Sequence, residues 1–201
     1  MARTRILLEI PRIRLSQMSE SQPISEVLSA ASVRDGKTVT ADGKSCARLV
    51  DGVKMRDLVL HTDARGVVCE MYDPRWGFNE APVVFTYFYT VRPGWVKGWA
   101  VHKTHEDRYC LVLGEMKVVL FDARGESPTF GLVQEIFLTE HRRQLLSIPA
   151  GVWHADQNIG QKDVMVVNFP TIPYDHNSPD KYRLPVGTDL IPYQFGSVQG
   201  F

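Results

Sequence analysis

The sequence predicts an all-β protein of the jelly-roll type, a β-sandwich or barrel preceded by an N-terminal extension. Three observations predict this class: short runs rich in β-branched and aromatic residues, frequent turn signals between them, and the lack of long helical periodicity. With 201 residues, of which 44% are hydrophobic and 23% charged, the chain has the composition of an ordinary globular protein.

Residues 1–48 differ in composition from the rest of the chain. They include the Ser-rich stretch SQMSESQPISEVLSAAS, in which Pro23 is suited to the first turn of a short helix running to about Val33. Two Asp-Gly turn signals follow in RDGKTVTADGK. We therefore expect residues 1–48 to be an extension that serves as an arm or subunit contact, and residues 49–201 to form the jelly-roll domain.

From Leu49 onward, strand-like runs alternate with turns. The predicted strands lie in VKMRDLVLH, VVCEMY, VVFTYFYTV, YCLVLGEMKVVLFD, LVQEIFLT, QLLSIP and VMVVNFP. Gly114 is the expected corner of a hairpin, and RPGWVKGW is expected to break the strand pattern after Val91. The Pro- and Tyr-rich tail from Thr171 is expected to wrap over the barrel surface.

Charge and cysteine content argue against several classes of partner and site. Lys+Arg and Asp+Glu are both 23, so the zero formal net charge gives no reason to expect nucleic acid or an acidic membrane surface as a partner. Three widely spaced cysteines, with no Cys-x-x-Cys pair, argue against a disulfide framework and a zinc ribbon. No apolar run is long enough to cross a bilayer and no signal peptide is evident, so we expect a cytoplasmic protein.

Two histidine-containing motifs carry the functional signal. In IPAGVWHADQN, Pro149 and Gly151 predict a tight turn that directs His154 into the barrel. In GWAVHKTHEDRYCLVLG, His102 and His105 precede an apolar strand. Together these motifs resemble the paired motifs of the cupin superfamily, whose members often bind a metal through a His-x-His pair, a carboxylate and the second-motif histidine.

A metal-free pocket is the preferred prediction for these motifs. On a regular strand, residues two apart share a face and residues three apart do not, so His102 and His105 are not expected to face inward together. We therefore expect no metal ion and no other cofactor, and we expect His105 to be a polar residue of the barrel rim. A metal-dependent dioxygenase or isomerase that uses His102, His105 and His154 is the weaker alternative.

The chain from about Leu49 resembles the dTDP-4-dehydrorhamnose 3,5-epimerase family, a metal-independent group of cupins. The resemblance is carried by DARGVVCE, VHKTHEDRYCLVLGEMKVVLFDARGESPTFG and IPAGVWHA, and FDAR with SPTFG is its most specific part. It implies a homodimeric enzyme that acts on a nucleotide-linked 4-keto-6-deoxy sugar. A proton α to the ketone is removed and a proton returns on the opposite face, in the synthesis of a polysaccharide or a glycosylated natural product.

The resemblance also implies roles for individual residues. His102 falls on the position of the catalytic base, and neutral histidine has a pKa suited to this task. Arg108 is the nearest match to the lysine that stabilises the enolate. A phosphate-contacting arginine of the family is replaced, with Lys97 or Lys103 as substitutes. The predicted substrate-binding residues are Arg65, Glu70, Lys103, His154, Asn168 and Tyr174.

Two departures from the family pattern leave a second function open. Asn168 stands where the family has a tyrosine proton donor, and an amide side chain does not titrate. No acid aligns cleanly with the carboxylate that orients the base; Asp189 is the nearest, and Asp175 and Asp180 are further candidates. The chain therefore also fits a non-catalytic cupin that binds a sugar nucleotide, with the fold kept and the chemistry lost.

Overall fold

Thirteen strands build the part of the chain that the structure, a computed structural model, describes: residues 29, 32–34, 36–43, 45–196 and 198–200. A short 3-10 helix is present at Pro74–Trp76. The strands, numbered in chain order, are β1 Lys54–Asp57, β2 Leu60–Asp63, β3 Gly66–Cys69, β4 Tyr87–Val91, β5 Trp95–Val101, β6 Asp107–Leu113, β7 Glu115–Asp122, β8 Val133–Thr139, β9 Gln144–Ile148, β10 Val152–Asn158, β11 Val164–Asn168, β12 Tyr182–Arg183 and β13 Gln199–Gly200.

The strands form two main sheets and one separate hairpin. The first sheet has the order β1-β9-β6-β11-β4, and the second has the order β12-β5-β10-β7-β8 with β13 beside β5. All pairings are antiparallel except that of β13 with β5, and β2 pairs only with β3. From β4 to β12 the chain crosses repeatedly between the two sheets, as in a cupin-type jelly roll. The predicted all-β jelly-roll class is confirmed.

The main core lies between the two sheets because the inward-facing residues of their strands are apolar. Met116, Val118 and Leu120 follow one another at a spacing of two on β7 and are each 0% exposed. They pack in the same cluster as Leu146 and Ile148 of the opposite sheet. Burying each such side chain stabilises the fold by about 1.5–3 kcal/mol.

The C-terminal tail covers the outer face of the second sheet, as the sequence predicted. Trp99 of β5 is fully buried there against Ile191 and Phe195. The same tail supplies β12, whose Tyr182 pairs with Val101 of β5. This pairing brings tail residues next to the first histidine motif.

One predicted break is wrong, and one predicted helix lies largely outside the described residues. The segment RPGWVKGW holds only a turn, in which Trp95 donates a backbone hydrogen bond to Arg92, and β5 begins at once at Trp95. Of the helix predicted between Pro23 and Val33, the structure describes Ser29, which is helical, and the two residues Ser32 and Val33, which are not. Backbone contacts divide the chain between residues 48 and 49, and an isolated bridge joins Val39 to Ser45 in the first unit.

The predicted hairpin corner at Gly114 is confirmed. Gly114 has a φ of 86°, a conformation that favours glycine, and it connects β6 to β7. A Cβ atom at this position would lie 3.1 Å from the carbonyl oxygen of Asp163, so the close packing of this turn also favours a residue without a side chain. No helix in the described ranges is both long enough and apolar enough to span a membrane.

Candidate active site

The two histidine motifs lie side by side in space. Gly151 has a φ of 80°, which allows the predicted tight turn before β10. Its N–H donates a hydrogen bond of 2.7 Å to the carbonyl oxygen of His102. His154, three residues further, pairs with Ala100 of β5. The turn therefore joins the second motif to the first and fixes the position of His154.

A polar cavity of about 140 Å³ opens beside His154. Residues of both sheets line it: Tyr87, Tyr89, Lys97, Gly98, Ala100, Tyr109, His154, Asp156, Lys181 and Arg183. Three of these residues are cations and three are phenols. A concave space with several convergent polar groups is the usual form of a small-molecule site.

Asp156 is the most unusual group in the wall of this cavity. Its side chain is buried, and Tyr89 donates a hydrogen bond of 2.8 Å to Oδ2. Oδ1 has no hydrogen-bond partner among the described residues. Burial raises the pKa of Asp156 to about 7. A buried carboxylate oxygen without a partner destabilises the fold, so stability alone does not explain an aspartate at this position of the cavity wall.

His154 faces the same cavity. Its Nδ1 lies 3.3 Å from the carbonyl oxygen of Val152, and its Nε2 lies 3.4 Å from Oδ2 of Asp107. Burial lowers the pKa of His154 to about 4, so the ring is neutral near pH 7. His154 thus lines the cavity, and its role in substrate binding stays a prediction.

Asp107 lies behind His154 and connects several of the predicted residues. It is buried on β6, and it accepts hydrogen bonds from Asn168 Nδ2 at 2.7 Å and from the Tyr109 hydroxyl at 3.2 Å. His102 Nε2 lies 3.1 Å from its Oδ2. Burial alone would raise the pKa of Asp107, but the hydrogen bond of His102 and the nearby His154 hold it well below the usual range. Asp107 is therefore an ionised centre of this polar cluster.

The geometry argues against the predicted role of His102 as the catalytic base. Its Nδ1 is bonded to the backbone carbonyl oxygen of Asp180, its Nε2 faces Asp107, and it does not line the cavity. Burial lowers the pKa of His102, but the hydrogen bond and charge of Asp107 outweigh this effect and raise it overall. Because neither ring nitrogen is free to take a proton from a substrate, the geometry makes His102 part of the supporting cluster.

The predicted role of Arg108 as the enolate-stabilising cation is also wrong. Its side chain is fully buried on the face of β6 away from the cavity. The guanidinium donates hydrogen bonds to the Tyr72 hydroxyl and to four backbone carbonyl oxygens, those of Ala81, Pro82, Phe169 and Pro170. Arg108 thus anchors two chain segments to the sheet and has no donor left for a substrate.

The remaining predicted binding residues divide into one that supports the cavity and four that lie away from it. Asn168 is buried and donates a hydrogen bond of 2.9 Å to the hydroxyl of Tyr87, which lines the cavity. The four that do not line the cavity are all exposed: Arg65, Glu70, Lys103 and Tyr174. The side chain of Arg65 is 91% exposed and forms an ion pair with Asp63. Lys103 lies over the ring of Tyr182, and Tyr174 contacts His176.

Most residues of the cavity wall were not predicted from the sequence. Asp156 lies two residues after His154 and so shares its face of β10, a signal that the sequence contains. Tyr87 and Tyr89 are likewise two residues apart on β4, so they share the face of that strand that lines the cavity. Lys97 was considered only as a substitute for a phosphate-binding arginine, and it does line the cavity.

One family model matches this chain over more than half of its length. Residues 48–183 match the family described as dTDP-4-dehydrorhamnose 3,5-epimerase. The chain is 32% identical to the probable low-salt glycan biosynthesis epimerase Agl13 of Haloferax volcanii, over 68% of this chain and 88% of that protein. It is 29% identical to the spore coat polysaccharide biosynthesis protein SpsL of Bacillus subtilis, over 74% and 98% of the two chains. The crystal structure of a dTDP sugar isomerase from Desulfovibrio desulfuricans superimposes with a TM-score of 0.70 at 27% identity, over 76% of this chain and 98% of that one.

Proposed function

Because this chain belongs to the dTDP-4-dehydrorhamnose 3,5-epimerase family, whose members are sugar isomerases, we propose that it epimerises a nucleotide-linked 4-keto-6-deoxy sugar in its polar cavity. The observation that carries the proposal is the meeting of an unpaired carboxylate oxygen, phenols and three cations in one cavity. Similarity to a glycan biosynthesis epimerase and a spore coat polysaccharide protein favours a product that enters a cell-surface polysaccharide.

The three cations of the cavity are suited to the diphosphate of a sugar nucleotide. Lys97, Lys181 and Arg183 all line the cavity, and no other Lys or Arg among the described residues does so. A diphosphate carries negative charge on several oxygens, and the planar fork of an arginine binds two of them at once. We assign Arg183 and Lys97 to the diphosphate. Lys181, which is half-buried, is assigned to the negative charge that develops on the 4-oxygen of the sugar.

Proton transfer is assigned to Asp156 and Tyr87. Asp156 belongs to β10 of the second sheet and Tyr87 to β4 of the first, so the two groups approach the cavity from different sheets. The carboxylate of Asp156, whose Oδ1 has no hydrogen-bond partner among the described residues, is assigned as the acceptor for the proton α to the ketone. The hydroxyl of Tyr87 accepts a hydrogen bond from Asn168, and burial raises its pKa to about 12, so it keeps its proton for delivery. Removal by one group and return from the other inverts the carbon.

This arrangement also answers the observation that favoured a non-catalytic binding protein. Asn168 replaces the tyrosine that the family uses as proton donor, but its amide holds the hydroxyl of Tyr87, and Tyr87 lies in the cavity wall. A phenol is therefore present beside the substituted position. An enzyme is the better supported of the two functions.

The stereochemistry of turnover tests this proposal. Wild-type protein is incubated with dTDP-4-keto-6-deoxyglucose, and the product is followed by proton NMR. We expect inversion at C3, C5 or both, and we expect Tyr87→Phe to lose inversion while proton removal continues. Tyr174→Phe, which changes an exposed phenol outside the cavity, is the matched control and should behave as wild type. Nucleotide binding without turnover in the wild type would instead establish the binding function.

A homodimer is part of the proposal, and its support is a group of exposed apolar side chains. Val67 and Val68 of β3 and Phe88 of the edge strand β4 are 54%, 66% and 64% exposed. Exposed apolar residues on strand edges favour pairing with another copy. Light scattering after gel filtration should give twice the chain mass, and Val68→Lys with Phe88→Lys should give the monomer. A monomeric wild type at micromolar concentration would contradict this assignment.

A cytoplasmic location is proposed with the function. All three cysteines, Cys46, Cys69 and Cys110, are free thiols, as expected in a reducing compartment. Fractionation of cells that produce the protein tests this assignment, and recovery in a secreted or envelope fraction would contradict it.

A further inference from the structure

The two groups assigned to proton transfer differ in their access to water. Asp156 is 4% exposed, whereas Tyr87 is 36% exposed. Each inversion leaves a proton on Asp156 and removes one from Tyr87, so both groups must be reset before the next substrate reacts. Tyr87 regains its proton from solvent. Because a bound sugar covers the cavity side of Asp156, the proton of Asp156 leaves fastest if the protein itself provides a path.

Two phenols connect Asp156 to a second buried aspartate. The Tyr89 hydroxyl donates a hydrogen bond of 2.8 Å to Oδ2 of Asp156. Burial raises the pKa of Tyr89, and a hydrogen bond with the Tyr109 hydroxyl acts against this rise, so the two hydroxyl groups are within reach of each other. Their rings meet edge to face, with centroids 5.7 Å apart. The Tyr109 hydroxyl in turn donates a hydrogen bond of 3.2 Å to Oδ2 of Asp107.

The path ends at His102, which is able to accept a proton. Its Nδ1 bonds to the backbone oxygen of Asp180, so the neutral ring carries its proton on Nδ1 and has a lone pair on Nε2. This Nε2 lies 3.1 Å from Oδ2 of Asp107, the oxygen that Tyr109 also bonds. Burial acts to lower the pKa of His102, but the hydrogen bond and charge of Asp107 raise it overall.

The His102 end of the path lies closer to solvent than Asp156 does. The ring of His105 lies against that of His102, with centroids 3.9 Å apart, and the two side chains are 13% and 8% exposed. The expectation that these two histidines do not face inward together is therefore wrong. Both follow the end of β5 and precede β6, so the alternation of a regular strand does not govern them.

The pKa values along the path are compatible with transfer. Burial raises the pKa of Asp156 to about 7, and the pKa of His102 lies above its ordinary 6.5, so neither end holds a proton far more strongly than the other. Burial raises the pKa of Tyr89 and of Tyr109 well above the ordinary 10. Neither phenol is therefore stable without its proton, and each passes one on only as it receives another.

We propose that Tyr89 and Tyr109 form a proton relay that returns Asp156 to its carboxylate form after each turnover, an inference that rests on the proposed function. The protonated Asp156 side chain rotates about its Cβ–Cγ bond and donates its proton to the oxygen of Tyr89. The proton of Tyr89 moves to Tyr109, and the proton of Tyr109 moves to Asp107. Asp107 then passes a proton to Nε2 of His102. Each O–H bond that breaks is replaced by a new O–H or N–H bond, so Asp156 ends as a carboxylate and His102 as an imidazolium.

Asn168 keeps this relay separate from the proton donor. Its Nδ2 donates hydrogen bonds to Asp107 at 2.7 Å and to the hydroxyl of Tyr87 at 2.9 Å, so it lies between the two. An amide does not titrate, and it does not carry a proton from one partner to the other. The proton removed by Asp156 and the proton delivered by Tyr87 therefore follow different routes.

A comparison of the first turnover with later ones tests the relay. Because a relay acts only after product has formed, Tyr109→Phe should keep a single-turnover rate within about twofold of wild type, measured with enzyme in excess over dTDP-4-keto-6-deoxyglucose. Its steady-state kcat should fall about 10- to 100-fold, with an unchanged Kd for dTDP. Tyr193→Phe is the matched control. It removes a hydroxyl that bonds to Glu135 outside the cavity, and it should match wild type in both rates.

Added imidazole gives a second measurement. A small buffer that enters the open cavity between turnovers carries away the proton that the broken relay retains. The kcat of Tyr109→Phe should therefore rise with imidazole concentration, while that of the wild type stays constant. A merely structural effect of the substitution would not respond to the buffer.

The outcomes separate the relay from the proposed function. Equal kcat in wild type and Tyr109→Phe would overturn the relay and leave the epimerase intact. A first turnover slowed as much as the later ones would also overturn it, because Tyr109 would then act in the chemical step. A wild type without turnover would remove the proposed function itself. If Tyr109→Phe does not fold, Tyr89→Phe breaks the same path, and its kcat must fall by a larger factor than its first-turnover rate.

Discussion

Asp122 and Asp156 are both buried aspartates of the second sheet, but their surroundings differ sharply. Asp156 pairs in register with Val118 of β7, the strand that ends with Asp122. The Asp122 carboxylate accepts hydrogen bonds from Arg124, from Ser127 at 2.5 Å and from Thr129 at 2.6 Å. The Asp156 carboxylate accepts one, from Tyr89, and its second oxygen has no partner among the described residues.

The pKa values of the two carboxyl groups move in opposite directions. Burial raises the pKa of Asp156 to about 7. Burial also acts to raise the pKa of Asp122, but the hydrogen bonds of Arg124, Ser127 and Thr129 outweigh it and hold the pKa well below its usual range. A fully bonded buried carboxylate stabilises the fold, whereas a partly bonded one does not, and this is why we assign Asp156 to the proposed chemistry. Under the proposed function, Asp122 therefore serves stability and Asp156 serves catalysis.

Replacing Asp156 should produce the largest effect, and the effect should fall on activity. Asp156→Asn keeps the shape of the side chain but removes the proton acceptor, so we expect kcat/KM to fall about 10²- to 10⁴-fold. Circular dichroism and thermal melting should show a folded protein. An Asp156→Asn enzyme with wild-type kcat/KM would assign proton removal to another group.

Replacing Asp122 should produce the converse result. Asp122→Asn leaves Arg124 without its carboxylate partner and loses several charge-assisted hydrogen bonds, which should lower the free energy of unfolding by about 2–4 kcal/mol. Activity per folded molecule should be unchanged because Asp122 does not line the cavity. Urea unfolding and active-site titration measure the two quantities. A stable but inactive Asp122→Asn variant would abolish the distinction between the two aspartates.

The cations of the cavity wall should affect binding more than turnover. Arg183→Ala removes a proposed diphosphate contact, so KM for the sugar nucleotide and Kd for dTDP should rise about 10- to 100-fold while kcat changes less. Lys162→Ala, which removes an exposed cation paired with Glu140, is the control. Calorimetry with dTDP gives Kd directly. Equal affinity in both variants would exclude Arg183 from the diphosphate site.

The smallest predicted effect is a pH dependence of stability that belongs to Asp122. Because its folded-state pKa lies below the unfolded value, its contribution is complete above the unfolded pKa of about 3.9 and is lost as the pH falls below it. The difference in unfolding free energy between wild type and Asp122→Asn should therefore be constant from pH 7 to about pH 5 and shrink below about pH 4. A difference that grows on acidification would contradict this sign.

The fold was predictable where local pattern and burial agree. The alternating apolar residues of β7 and the glycine corner at Gly114 predicted that hairpin correctly. Strand β5 was missed because Pro93, Gly94, Lys97 and Gly98 suggested a loop. Its stability comes from pairing with β10 and β12 and from Trp99 packing under the tail, and these contacts are distant in sequence.

The site was predictable only in part, because several of its residues are also brought together by contacts that are distant in sequence. His154 was found because a turn and a strand fix its direction within one motif. Arg108 was misassigned although strand alternation places Asp107 and Tyr109 on one face of β6 and Arg108 on the other. Lys181 and Arg183 reach the cavity through the pairing of β12 with β5, which no local pattern reveals.

Proton exchange is the most direct measurement of the central claim, that the cavity holding Asp156 is the catalytic centre. Wild type, Asp156→Asn and Asp122→Asn are each incubated with dTDP-4-keto-6-deoxyglucose in heavy water, and loss of the C3 and C5 proton signals is followed by NMR. We predict exchange by the wild type, the same rate per folded molecule for Asp122→Asn, and a rate at least 100-fold lower for Asp156→Asn. Exchange by Asp156→Asn at the wild-type rate would contradict the claim.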